Sequence, residues 1–367
     1  MKVLLLGGTG AMGVHLMEYL SEKSQNQIYV TTRSYRTSGK DNCHYIVGNA
    51  HDMTFLSNTL EDSWDVIVDF MVYTTREFQS RVDFLLSKTK QYVFLSSSRV
   101  YADSVSPIKE DSPRLLDVSE DQEYLNTDEY ALTKARQEDI LKSKMQRNWT
   151  IIRPYITFSE QRLQLGVLEK ESWLFRALHG KKILFSEDIA DKYTTLTYGR
   201  DVARGIAAVL NEKEAYGQAF HITQSKTYTW REILTVYLDV LEKELKKRPE
   251  VCMVPTAPAL KRNGKYQVKY DRLFNRSFDN SAIGKYIDIS EFSDPADKLA
   301  ECLRVFLQER NFRSISWSIE AENDRITGEH ARMNDFNSFK EFFIYFLCRY
   351  MTPVEKLLRK IQNCIKR

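Results

Sequence analysis

The sequence predicts an α/β protein, a doubly wound parallel sheet joined to a smaller and mostly helical substrate domain. Two observations carry that expectation. Residues 1–6 form an apolar run that leads without a gap into Gly7-Gly8-Thr9-Gly10-Ala11-Met12-Gly13. Further apolar runs at 27–32, 45–48, 65–70, 91–95 and 150–152 are separated by helical stretches, the rhythm of βαβ units. Ligands of such sheets sit at the carboxyl ends of the strands, so the residues just after each run are the ones to weigh.

The first run and its glycine turn open the βαβ unit of a dinucleotide-binding (Rossmann) fold. Gly7 lets the chain turn sharply out of the strand, Gly10 lets a pyrophosphate approach the backbone, and Gly13 lets the next helix pack close to the sheet. That helix, over 14–22 with Leu16, Met17 and Leu20 on one face, aims its positive end at the phosphates. The second strand ends in Thr31-Thr32-Arg33-Ser34. A carboxylate there accepts from the ribose 2′-hydroxyl of NAD, whereas Thr32 and Arg33 favour the 2′-phosphate of NADP(H). NAD(H) stays open, and a solvated loop charge is the plain alternative for Arg33. The third strand is followed by Asn49 to Asp52, and a helix over 55–60 precedes the fourth, which ends at Phe70. The fifth runs into Ser96-Ser97-Ser98-Arg99-Val100-Tyr101, and the sixth closes on Arg153-Pro154.

The chain has 367 residues, 28% charged, with a net charge of +3, which gives no reason to expect nucleic acid as a partner. Its five cysteines are scattered without a C-x-x-C pair, so they read as reduced thiols of a cytosolic protein and not as metal ligands. The opening residues read as a strand and not as a cleavable signal segment, and no apolar run approaches the ~18 residues that span a bilayer.

Tyr130-Ala131-Leu132-Thr133-Lys134 opens a helix that continues through Ile140, which puts Tyr130 and Lys134 on one face. A free phenol titrates near ~10, and a cation one turn away favours the phenolate. A serine hydroxyl can then hold a substrate oxygen while the tyrosine moves its proton and a nicotinamide carries the hydride.

With these residues in order, the chain resembles the extended short-chain dehydrogenase/reductases, of the NAD(P)-dependent epimerase/dehydratase kind that act on nucleotide-activated sugars. The matching residues are the glycine motif, Asp52, Ser96-Ser97-x-x-Val100-Tyr101, Tyr130-x-x-x-Lys134 and Arg153-Pro154-Tyr155, over residues 1 to about 225. The resemblance implies that Ser97, with Ser98 as its rival, holds the substrate oxygen. It makes Tyr130 the acid/base and Lys134 the residue that holds the nicotinamide ribose and tunes Tyr130. The cofactor is then bound by Gly7, Thr9, Gly10, Ala11, Met12, Gly13, Thr32, Arg33, Asn49 and Asp52, the last on the adenine amine. Phe70, Met71 and Val72 pass beneath it, and Pro154 and Tyr155 line the nicotinamide pocket. Sugar 4,6-dehydratases of this kind carry Asp-Glu where this chain has Ser98-Arg99, which speaks against dehydration. Ala102 stands where a glycine usually follows Val-Tyr.

Residues 161–192 and 216–367 are expected to form the substrate domain, with 1–160 and 193–215 in the dinucleotide-binding domain. Ser98, Arg99, Tyr155, Arg162, Trp173 and Arg176 are the expected substrate contacts; Lys170, Lys181 and Lys182 add cations to their segment, suited to a nucleotide diphosphate. A solvated basic face is the alternative. His221 reads as structural, Thr229 and Glu232 as a capping box, 294–309 as a helix and 316–336 as a polar loop. Residues 354–367 set Leu357, Leu358, Ile361 and Ile365 on one face and lysines and arginines on others; such a segment docks on protein more often than on a membrane. The resemblance implies an NAD(P)-dependent nucleotide-sugar epimerase, a homodimer serving surface-polysaccharide or related glycan precursor synthesis. A reductase of a nucleotide-linked keto-sugar or polyol and a non-catalytic nucleotide-binding scaffold are the alternatives.

Overall fold

The computed structural model describes residues 1–261 and 264–351; the expected amphipathic segment 354–367 lies outside them. Seven parallel strands form one sheet: β1 (Lys2–Leu6), β2 (Gln27–Thr32), β3 (Cys43–Val47), β4 (Trp64–Asp69), β5 (Thr89–Leu95), β6 (Trp149–Pro154) and β7 (Gln218–Ile222), in the order β7-β6-β5-β4-β1-β2-β3. The order reverses at β1, whose carboxyl end therefore faces an open crevice. Val3 to Leu6 are wholly buried, as a strand covered by helices on both faces must be. The covering helices include α1 (Gly13–Ser21), α2 (Met53–Thr59), α3 (Thr75–Ser87) and α4 (Tyr130–Lys142).

The expected first βαβ unit forms, and its geometry explains two of its glycines. Gly7 has φ +67°, a left-handed conformation that a side chain disfavours. A Cβ on Gly13 would stand 2.4 Å from the Gly8 carbonyl oxygen, so α1 can start this close to the turn only without one. The strand at 218–222 departs from expectation. Placed in the substrate domain by the sequence, it pairs with β6 along its whole length and completes the sheet.

The rest of the chain packs as a second body around Trp173 and Trp230. It contains α5 (Lys170–Leu178), α7 (Trp230–Leu245) and α8 (Pro295–Glu309), whereas α6 (Gly199–Ala208) packs on α1 against the sheet. The Thr229–Glu232 capping box starts α7, and Asp294 caps α8. The expected polar loop at 316–336 is instead largely α9 (Trp317–Thr327), followed by α10 (Phe339–Tyr350). Its polarity has a buried cause: Glu320 and Asp324 of α9 lie against Arg176 and Lys181, with Arg176 Nη1 2.6 Å from Glu320 and 2.8 Å from Asp324.

That network corrects two expected substrate contacts. Arg176 is buried and also bonds Glu329 at 2.7 Å, so it ties α5 to α9. Trp173 is wholly buried, donates from Nε1 to the Leu163 carbonyl and stacks on Tyr237. Lys181 is buried with the same carboxylates, and Lys182 is a surface cation near Glu250.

Removing one partner of a buried network strands the others without solvent. Arg176→Met should destabilise the protein by ~3–5 kcal/mol, read as an earlier urea midpoint. Arg162→Met, at an exposed position, should leave the midpoint unchanged.

Candidate active site

The carboxyl ends of β1, β4, β5 and β6 bring the singled-out residues together. After β5 the chain turns through three serines with different partners. Ser96 Oγ donates to Glu138 Oε1 at 2.6 Å, and Ser98 Oγ donates to the Arg153 carbonyl at 2.7 Å. Ser98 is wholly buried in that bond, so the structure does not place it as a substrate contact. Ser97 caps the short turn at Ser98–Val100, its Oγ accepting from the Arg99 amide at 3.2 Å, and its hydroxyl lowers the pKa of the Tyr130 phenol.

Tyr130 is the first residue of α4 because Glu129 caps that helix, its Oε2 accepting from the Ala131 amide at 2.7 Å. The other Glu129 oxygen receives Arg99 Nη2 at 2.5 Å, and the Arg99 guanidinium carbon stands 5.5 Å from the Tyr130 ring centroid. Burial pushes the Tyr130 phenol above its usual value; Arg99 opposes that most, followed by Arg162 and the Ser97 hydroxyl. The sequence assigned that tuning to Lys134. Lys134 is buried as a site lysine should be, but its Nζ donates to the Leu95 carbonyl at 2.7 Å and lies 6.0 Å from the Tyr130 ring centroid. Burial lowers its own pKa to about 8.

Arg99 is thus held by protein carboxylates and not left free for substrate. Asp271, 3.9 Å from it, also receives the Tyr155 hydroxyl at 3.1 Å and bonds Arg272 and Arg276. Tyr155 is buried in that cluster and does not face the open cleft. Sequence reasoning missed Glu129 and Asp271. The alternating lysines, arginines and tyrosines of 265–276 were the available signal for the second of them.

Beside these groups a cleft of about 600 Å³ runs between the two bodies. One wall is Gly7, Gly10, Ala11, Met12, Gly13 and Phe70; the other includes Arg162, Lys170, Glu171 and Arg313. A Cβ on Gly10 would meet no atom within 4 Å, so its backbone stands open to that space. Met71 covers the turn, its Sδ 2.7 Å from where a Gly7 Cβ would be, and Val72 is exposed beyond it. Thr9 closes the turn, its amide donating to the Gly7 carbonyl. At the far end of the sheet Thr32 is buried while Arg33, Asn49 and Asp52 are exposed. Asp52 caps α2 through one oxygen, which accepts from the Thr54 and Phe55 amides. Pro154 is buried at the end of β6. An open glycine turn at a helix start, beside a buried lysine and a serine–tyrosine pair, fits a nicotinamide dinucleotide. Among the described residues no group of three metal-ligating side chains is placed to hold an ion.

This sheet, glycine turn and Ser–Tyr–Lys set define an extended short-chain dehydrogenase/reductase, an enzyme class. The chain belongs to the NAD dependent epimerase/dehydratase family, whose profile matches residues 3–223. No curated protein is similar enough in sequence to count as a relative. Among solved structures the chain is similar to the epimerase Mth375 of Methanothermobacter thermautotrophicus (TM-score 0.66, 15% identity, 84% of this chain and 93% of that one). It is also similar to the Bordetella bronchiseptica enzyme WbmH in complex with NAD+ (0.65, 16%, 84% and 98%). The UDP-glucuronic acid 4-epimerase of Bacillus cereus, in complex with NAD, matches at 0.63 and 17% identity, over 85% of this chain and 100% of that one. At these identities the likeness is one of fold.

Behind the site, His221 of β7 is wholly buried, its Nε2 donating to the Asp279 carbonyl at 2.8 Å and its Nδ1 facing the Tyr101 hydroxyl at 3.2 Å. Burial, then the Arg153 charge, depresses its pKa from 6.5 to about 4. A base depressed by folding contributes stability above 6.5 that is lost as pH falls towards 4. The loss over that window should be roughly 3 kcal/mol, and His221→Gln should flatten it in urea titrations run at several pH values.

Proposed function

We propose that the protein is a nucleotide-sugar epimerase that oxidises one sugar hydroxyl transiently and re-reduces it on the other face. The observation that carries this reading is the arrangement of Ser97 at the carboxyl end of β5, the open glycine turn at the carboxyl end of β1, and Tyr130 with the buried Lys134 on one face of α4. Ser97 holds the reacting oxygen, and Tyr130 takes its proton and returns it. Arg99, held by Glu129, favours the phenolate form of Tyr130. Gly7, Gly10, Ala11, Met12 and Gly13 would hold the pyrophosphate of the dinucleotide, and Lys134 would meet its nicotinamide ribose. When bound, the nicotinamide supplies the hydride acceptor and donor. Arg162, exposed on the opposite wall, supplies a cation for the substrate diphosphate in this reading. The absence of an acidic pair at Ser98-Arg99 supports epimerisation over dehydration.

One feature supports a second reading, an NADP(H)-dependent reductase of a nucleotide-linked keto-sugar or polyol. Arg33 is exposed at the end of β2 where a carboxylate would read the NAD ribose. We assign the catalytic body to 1–160 and 193–222 and the protein to the cytosol. Mass spectrometry of small molecules released from the purified protein separates the readings: retained NAD(H) supports the epimerase, and recovery of the chain without cofactor, with tighter titration of NADP(H), the reductase.

Tyr130→Phe should lower turnover by about 10²–10⁴-fold while cofactor binding, followed by fluorescence quenching, is retained. Unchanged turnover would remove Tyr130 from its role. Arg99→Met takes a cation from beside the phenol, so the pH limb of kcat that reports Tyr130 should move to higher pH.

A further inference from the structure

We propose that α10 and the basic segment that follows it dock this protein on the surface of an anionic lipid bilayer. One face of α10 is spent on the protein itself. Tyr345 and Cys348 are buried, and the Tyr345 hydroxyl donates to Asp324 at 2.6 Å. The opposite face is not. Phe339, Phe343, Phe346 and Tyr350 recur at intervals of four, three and four residues, one line along a helix, with exposures of 78%, 50%, 39% and 57%. Ile344 and Met351 add exposed apolar surface beside that line.

Charge identifies the occupant. Residues 339–367 hold seven lysines and arginines against two glutamates, a net +5, while the whole chain carries +3. The preceding 338 residues are therefore net acidic, and the cationic excess is confined to the aromatic helix and the residues that follow it in the sequence. Lys356, Arg359, Lys360, Lys366 and Arg367 follow α10 in the sequence with Glu355 as the one acid. Exposed rings that enter the headgroup region, next to cations that stay in it, suit a negatively charged leaflet. A second copy on the same face would set +5 against +5, which disfavours that occupant. Among the described residues no helix is long and apolar enough to cross a membrane, so the contact is peripheral.

The test is vesicle flotation of the full chain. It should float with phosphatidylcholine vesicles that contain phosphatidylglycerol, stay behind with phosphatidylcholine alone, and be released by high salt. Phe339→Ser/Phe343→Ser/Phe346→Ser should reduce recovery about tenfold with an unchanged melting temperature, since these rings are exposed. Lys356→Gln/Arg359→Gln/Lys360→Gln should do the same without touching α10. Equal recovery of all three proteins, or no flotation of the full chain, would overturn the proposal. So would a dimer, by light scattering, that the phenylalanine variant alone converts to monomer. None of these outcomes bears on the Ser97–Tyr130 chemistry.

Discussion

Glu138 and Arg153 meet as a bidentate pair wholly out of solvent, and the relative placement of Ser97, Tyr130 and Lys134 hangs on it. Arg153 Nε and Nη2 lie 2.8 and 2.6 Å from the two carboxylate oxygens. Arg153 belongs to β6, Glu138 to α4, and Ser96 at the end of β5 donates to the same carboxylate. Three elements are thus locked at one point. Tyr130 and Lys134 lie two turns and one turn up the helix from Glu138, and Ser97 is the next residue after Ser96. Two desolvated charges tolerate no sliding of helix against strand, because any shift unpairs them in a medium that cannot hydrate them. The remaining Arg153 nitrogen reaches Tyr101 and the Glu110 carbonyl, so the lock extends to the loop after the serines and, through His221, to β7.

Much of this was legible in the sequence because it is local. A strand, a glycine turn and a helix follow each other within the first 21 residues, and the physics that demands Gly7 and Gly13 acts between near neighbours. The Tyr130–Lys134 spacing is equally local. What was not legible joins distant residues. Trp173 and Arg176 have the side chains of a nucleotide site, but their partners stand at Tyr237 and at Glu320, Asp324 and Glu329. Composition cannot tell a cation aimed at phosphate from one aimed at a buried carboxylate. The same pairing hid α9, since acids that neutralise a core look like the acids of a solvated loop.

The charges around Tyr130 show a related division of labour. A lysine one turn along the helix is the obvious cation, yet its Nζ is committed to the Leu95 carbonyl. The nearer influence comes from Arg99, which follows the serines. Arg99 is in turn fixed by Glu129, the cap of the same helix, and approached by Asp271 from beyond the stretch that matches the family profile. The C-terminal part of the chain beyond that stretch therefore reaches Arg99 through the Asp271 carboxylate.

The late position of β7 has a consequence for how the chain is made. As β6 leaves the ribosome, its outer edge is a row of unpaired amides and carbonyls. At ~5–20 residues per second, the strand that covers it emerges only after several seconds of further synthesis. Until then the nascent sheet offers an open template for wrong pairing, and His221, which links the late strand to Tyr101, is not yet there to close it. The polypeptide between these two strands sets the length of that vulnerable interval.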